Sequence, residues 1–272
     1  MQAYIGGIIN YSETDWPGKK AMVIFFSGCD FHCPFCRTPD ILGFKENLSK
    51  DLREVKKAIL NNHLIDAVLV TGGEPCLQKL ALMEIAELCR ENKLYFGIET
   101  NGSRPDVLAG LIDEKLVHFV RLDVKAPLDS DIFQKVTEAS TFFKPIQDVI
   151  SDFKQSLALL HKYEKSIDLE LRTTIVPSLI FKKDDVMNLA FMLKGFKSAW
   201  MLQKFDSGQK LLSRKYDAVN PPSDEFLDNL RNAVRREYPG LNVQIRDNMS
   251  TLSLPPPVEE TMTGKAENDV KE

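Results

Sequence analysis

Ala21-Met22-Val23-Ile24-Phe25-Phe26-Ser27-Gly28-Cys29-Asp30-Phe31-His32-Cys33-Pro34-Phe35-Cys36 joins a continuous apolar run to three crowded cysteines. A run of this kind suits a strand buried on both faces, as in a parallel sheet covered by helices. The loop after such a strand opens onto the functional face of an α/β fold. Cysteines four and three positions apart let one short loop place three thiolates around one centre.

Outward from this stretch, strand-like runs alternate with helical patterns. Asp66–Thr71, Leu94–Glu99, His118–Val124, Leu169–Val176, Ala199–Phe205 and Leu241–Arg246 read as further strands, and Ala3–Ile9 as a strand paired at an edge. Between them, Leu82, Ile85, Ala86 and Cys89 have the spacing of one buried helical stripe, as do Val186, Leu189, Ala190 and Leu193. Phe226, Leu230 and Ala233 form a third stripe, with Ser223 as N-cap and an acidic first turn at Asp224 and Glu225. A full eight-unit barrel takes about 250 residues before insertions. Some six units fit here, so the expected fold is a partial (β/α)6-type barrel of mostly parallel strands over residues 1–250. The segment 251–272 carries Pro255-Pro256-Pro257 and then a polar run without periodicity, and is expected to be a disordered tail.

Composition narrows the class. The chain has 272 residues, 43% hydrophobic and 27% charged, with a net charge of -4, which gives no electrostatic reason to expect nucleic acid as a partner. No apolar run approaches the roughly 20 residues that cross a bilayer. The start lacks the basic region and cleavage site of a signal peptide, so a cytoplasmic protein without a membrane partner is expected. Five cysteines, three of them in one loop, point to metal or redox chemistry rather than a disulfide framework.

Spacing alone leaves three readings of the cysteine loop. A 4Fe–4S cluster ordinarily takes four thiolates, so three would leave one iron open to a substrate. A structural zinc site could add His32 or a distant ligand. A plain electron carrier could recruit Cys76 or Cys89 as the fourth thiolate.

Further motifs carry a resemblance. Cys29-x-x-x-Cys33-x-Phe35-Cys36 resembles the signature loop of the radical S-adenosylmethionine (SAM) superfamily, and Thr71-Gly72-Gly73-Glu74-Pro75 resembles its second motif. Within the superfamily the chain resembles the glycyl-radical-enzyme activating group, above all the activators of anaerobic ribonucleoside-triphosphate reductase. Ser12-Glu13-Thr14-Asp15-Trp16-Pro17-Gly18 is similar to that group's Asp-x-Pro-Gly segment. Glu99-Thr100-Asn101-Gly102 is similar to its Asp-Thr-Asn-Gly, and Asp123-Val124-Lys125 to its Asp-x-Lys. Leu171-Arg172-Thr173-Thr174 and Leu202-Gln203-Lys204-Phe205 also fit. Three positions depart from the pattern: Arg37-Thr38-Pro39 stands where His-Asn-Pro is usual, Glu99 replaces Asp, and Cys76 occupies a Thr or Ala position.

The resemblance implies one 4Fe–4S cluster on Cys29, Cys33 and Cys36. It implies SAM held by Phe35 against the adenine and by Gly72, Gly73, Glu74 and Pro75 around the amino group. Thr100, Asn101, Asp123, Lys125 and Arg172 would be further SAM-side residues. It also implies reductive cleavage of SAM to a 5′-deoxyadenosyl radical, an external one-electron donor such as flavodoxin or ferredoxin, and a glycyl radical enzyme as partner. A radical SAM catalyst acting on a small molecule, such as a modified-base precursor, and a non-catalytic Fe–S carrier are the alternatives.

Residue physics bears on the same positions. Asp123 and Lys125 share one face of a strand, as do Glu170, Arg172 and Thr174, while Leu169, Leu171 and Ile175 take the other. A barrel covered by helices needs an apolar outer face, so the polar sets are expected in the lumen. There they meet either SAM or one another in an ion-pair network. Cys89 reads as core and Cys76 as a free thiol. His63, His118 and His161 read as structural or surface residues and His32 as a spacer. Asp15, Trp16 and Gly18 are expected to line the mouth of the site.

Overall fold

The computed structural model describes residues 1–208 and 210–246. The tail expected at 251–272 lies outside the described residues. In chain order the main elements are β1 (Gln2–Ser12), β2 (Ala21–Phe26), β3 (Ser49–Asp51), α1 (Leu52–Asn61), β4 (Ala67–Gly72), α2 (Lys79–Glu91), β5 (Tyr95–Thr100) and α3 (Pro105–Asp113). There follow β6 (Phe119–Asp123), α4 (Ser130–Thr137), α5 (Ile146–Tyr163), β7 (Asp168–Ile175), α6 (Lys183–Leu193), β8 (Ala199–Lys204), α7 (Asp224–Glu237) and β9 (Val243–Arg246).

The nine strands of the described residues form one sheet in the order β3-β1-β2-β4-β5-β6-β7-β8-β9. From β2 to β9 every neighbouring pair is parallel, and each crossover carries at least one helix. The result is six β/α units in an open, partial barrel, as the alternation predicts. β1 pairs antiparallel with β2. It is not the edge, because the three-residue β3 pairs along its outer side. Ser49-Lys50-Asp51 has no apolar alternation to betray a strand; only main-chain pairing makes it one.

Period-two alternation separates the two faces of the sheet. Met22, Ile24, Phe26, Val68, Val70, Ile98, Val120 and Leu171 point outward and join the helix residues Leu82, Ile85, Leu111 and Phe153 in the main core. Val23, Phe25, Ala67, Leu69 and Phe119 point inward and form a smaller apolar cluster with Trp16. On α2 the expected stripe is buried, Cys89 included. On α7, Ser223 caps the helix by accepting from Phe226 N at 3.2 Å, but the buried stripe is Leu227, Leu230 and Val234. It is turned by one residue from the expected one, because Phe226 instead stacks on Phe181, with centroids 4.2 Å apart.

Candidate functional site

The lumen is closed at the end where the parallel strands begin. The loop between β1 and β2 carries Trp16, which stacks on Phe119 with centroids 5.0 Å apart and meets Tyr95 edge-on. Gly97 makes room for it: a Cβ there would lie 2.7 Å from the Trp16 ring. Asp15, Trp16 and Gly18 therefore sit opposite the expected mouth. The reason is topological, since antiparallel β1 delivers its last residues to the start of β2. Asp15 is fully buried, and its carbonyl accepts from Arg121 Nη2 at 2.9 Å.

Above this plug lies a layer of charge. Arg121, only 1% exposed, pairs with Glu99 and, at 2.6 Å, with Glu170. Arg246 donates both terminal nitrogens to Glu170 at 2.8 and 2.6 Å. Arg172 bridges Glu99 at 3.2 Å and Asp123 at 2.6 Å, and Lys125 closes on Asp123 at 2.8 Å. The lumenal charges thus form a mutually satisfied network, one of the two arrangements the strand faces allow. Burial alone would push Glu99 and Asp123 up, but their cationic neighbours outweigh it and hold both carboxyls below the usual range. Arg121 and Arg246 are the members that sequence reading passed over. Arg121 lies two residues before Asp123 on one strand, so the same-face rule could have found it.

At the far end, where the strands finish, a cavity of about 1010 Å3, counting its open mouth, holds the remaining chemistry. It is lined by Cys29, Cys33, Phe35, Cys36, Gly72, Gly73, Thr100, Asn101, Asp123, Lys125 and Arg172, so eleven of the thirteen expected site residues meet there. Arg37, Thr71, Glu99, Gln203 and Asp206 complete much of the wall. Glu74 and Pro75 are not part of the lining. Glu74 is fully buried behind it, accepting from Cys76 N at 3.0 Å, Thr100 Oγ1 at 2.8 Å and Asn101 N at 2.7 Å. Burial, followed by repulsion from Asp30, pushes its carboxyl up to about 7 against these three donors. The carboxylate ties the β4 turn to the end of β5.

Main-chain bonds fix the cysteine loop from several sides. His32 N donates to Thr137 O, Glu74 N to Gly28 O, Leu212 N to Cys36 O and Ser213 N to Pro34 O, all at 2.7–2.9 Å. Gly72, with φ +120, and Gly73 let two backbones pass so closely that a Cβ on either would lie 2.2 Å from a carbonyl oxygen of the β2 segment. His32 is exposed and holds the loop through its backbone N–H, while His118 accepts from Phe96 N at 3.2 Å. Cys76 and Cys89 are buried free thiols; Cys76 Sγ lies 3.8 Å from Thr100 Oγ1.

The donor set suits a polynuclear cluster. Three thiols from one loop share the cavity, and among the described residues no three His, Cys, Asp or Glu side chains converge on a single ion. A cuboidal cluster needs no such convergence, because each thiolate takes a different iron. Burial pushes Cys33 up to about 12 even though Lys125 draws it down, and Cys29 is also pushed well up. Ionising these thiols is therefore work that metal binding has to supply.

Comparison with known proteins agrees with this geometry. The radical SAM superfamily profile matches residues 23–186. A Methanocaldococcus jannaschii protein assigned by name to the glycyl-radical enzyme activating enzymes is 30% identical over 207 residues, covering 76% of this chain and 81% of its own. The pyruvate formate-lyase-activating enzyme of Clostridium pasteurianum is 28% identical over 208 residues, covering 71% and 77%. A radical SAM methyltransferase structure from Sphaerobacter thermophilus superposes with a TM-score of 0.60 at 15% identity, over 85% of this chain and 67% of that one, a likeness of fold alone. These relatives are named for glycyl-radical enzymes at large and for pyruvate formate-lyase, so the likeness stands at that level rather than at ribonucleotide reductase. Among the described residues no helix is long and apolar enough to cross a membrane. With its profile match running from within β2 into α6, the chain belongs to the radical SAM superfamily and is homologous to its glycyl-radical-enzyme activating members.

Proposed function

We propose that this radical SAM oxidoreductase generates a glycyl radical on a partner protein, with residues 1–250 as its domain and Cys29, Cys33 and Cys36 as the ligands of its one 4Fe–4S cluster. The observation that carries the reading is the meeting of three thiols with a ready-made layer of paired charge at the open end of the lumen. When bound, the cluster and SAM supply one-electron cleavage of the sulfonium to methionine and a hydrogen-abstracting 5′-deoxyadenosyl radical.

The chain's own residues bind, orient and shield. Phe35 offers an aromatic face to the adenine from the cavity wall. Gly72 and Gly73 bring main-chain polar groups within reach of an amino group, and Glu74 holds that turn from behind. Thr100 and Asn101 also line the cavity, their side chains held in place by Glu74 and Asp30. Asp123, Lys125 and Arg172 are fixed by one another, so they meet a charged ligand without rearranging. No general base is required. The apolar plug around Trp16 keeps water from the closed end.

An open barrel admits an extended loop of a folded partner to the thiol end. The motif likeness favours anaerobic ribonucleotide reductase as that partner, and a flavodoxin or ferredoxin as the electron donor. The test is anaerobic reconstitution with iron and sulfide, dithionite reduction and addition of SAM. Wild type is expected to release 5′-deoxyadenosine and Cys33→Ala to fall to background. Addition of a glycyl radical enzyme should then give an organic radical by electron paramagnetic resonance. Cleavage of SAM without a radical on any such enzyme would overturn the partner assignment, and an intact cluster without cleavage would overturn the whole reading.

A further inference from the structure

Arg37 is the unusual cation of the cavity. It follows Cys36 directly and lines the same wall as Arg172 and Lys125. Those two are neutralised by Asp123 and Glu99. Arg37, by contrast, makes no ion pair or side-chain hydrogen bond among the described residues, and its Nε is shut off from solvent without a partner. Asp206 draws the guanidinium and Arg172 repels it, while burial disfavours its charge most of all. Its backbone is not free to carry it outward, because the flanking Cys36 and Pro34 carbonyls accept from Leu212 N and Ser213 N, both at 2.9 Å. Of the nearby carboxylates, Asp123 and Glu99 are already shared among Arg121, Arg172 and Lys125, and Asp206, which accepts from Gly208 N at 2.8 Å, draws the guanidinium without bonding to it among the described residues.

A guanidinium held in a half-buried wall without an acceptor is costly, and the cost is recovered only when an anion arrives. Its planar fork pairs bidentately with a carboxylate or a phosphate. SAM, the ligand of this cavity, carries one carboxylate, on its methionyl end. We propose that Arg37 is a specificity-determining residue that pairs with the SAM carboxylate, an inference that rests on the radical SAM reading given above. The exchange of the family's usual His for Arg at this position then acts on cofactor recognition.

The test is equilibrium binding of SAM and of decarboxylated SAM to the reconstituted, unreduced protein, so that no turnover enters. Arg37→Gln should weaken SAM roughly 10- to 100-fold, the range of a charge-assisted hydrogen bond. Arg37→Lys should fall between, because an ammonium keeps the charge but loses the fork. Decarboxylated SAM, already weak on wild type, should lose no further affinity on Arg37→Gln. The cluster-free variant should melt no lower than wild type, since an unpaired buried cation has been removed. SAM affinity within twofold of wild type in Arg37→Gln, or equal weakening of both ligands, would overturn the pairing. Absence of SAM binding by wild type itself would instead overturn the parent reading.

Discussion

Where the strands begin, the lumen is filled by Trp16 lying on Phe119 over Gly97; where they finish, three thiols and an unpaired guanidinium face an open cavity. Inward-facing residues of the same strand contribute to both ends. Phe119, Arg121 and Asp123 are successive inward residues of β6, and they run from aromatic through buried ion pair to cavity wall. The closed end contributes stability by removing apolar surface from water. The open end concentrates groups whose burial costs free energy: thiols pushed up, a buried carboxylate and a cation without a partner. One end stabilises the scaffold on which the other can remain reactive.

That contrast predicts separable phenotypes. Trp16→Ala should cost about 3–5 kcal/mol, the usual loss for a large buried aromatic, read by urea unfolding of the cluster-free protein. SAM affinity after reconstitution should stay at the wild-type value. A parallel loss of affinity would show that the two ends are not independent. Glu99→Gln tests the layer between them. It leaves Arg121 and Arg172 with one charge fewer to share, and a loss of about 3 kcal/mol is expected. A neutral result by the same measurement would mean that Asp123 and Glu170 suffice to hold both cations.

The last effect concerns pH. Glu74 is raised from the usual 4.5 to about 7, so the native chain keeps a proton that the unfolded chain has released across that window. Stability from this group therefore falls as pH rises through the window, with the full penalty present above it. Glu99, Asp123 and Glu170 are shifted down and act oppositely: their contribution is whole above the usual carboxylate range and is lost as pH falls. Between about pH 5 and about pH 8, Glu74→Gln should therefore lose less stability than wild type in urea titrations. An identical change in both proteins would mean that the Glu74 proton does not report its burial.

Much of this was legible in the chain. The cysteine loop could be read because its chemistry is local: the ligands lie within eight residues and follow an unmistakable buried strand. The parallel strands were legible because each is apolar on the face that helices cover. The misplacement of Trp16 has a different origin. Its partners Tyr95, Gly97 and Phe119 are far along the chain, and only the antiparallel entry of β1 decides which end of the lumen it reaches. The ion-pair layer is likewise assembled from long-range partners; Glu99, Arg121, Glu170 and Arg246 come from four different strands. Strand faces announce that charges point inward, but not which of them neutralise one another.

The Trp16 plug has a kinetic consequence. A lumen plugged at its base has its door at the thiol end, where most of the residues proposed for SAM line the wall. A macromolecular segment that enters through that door stands between SAM and bulk solvent. On the proposed function, loading then runs in order, small ligand first and protein second. The same proposal has departure reverse it, with methionine and 5′-deoxyadenosine enclosed until the partner withdraws.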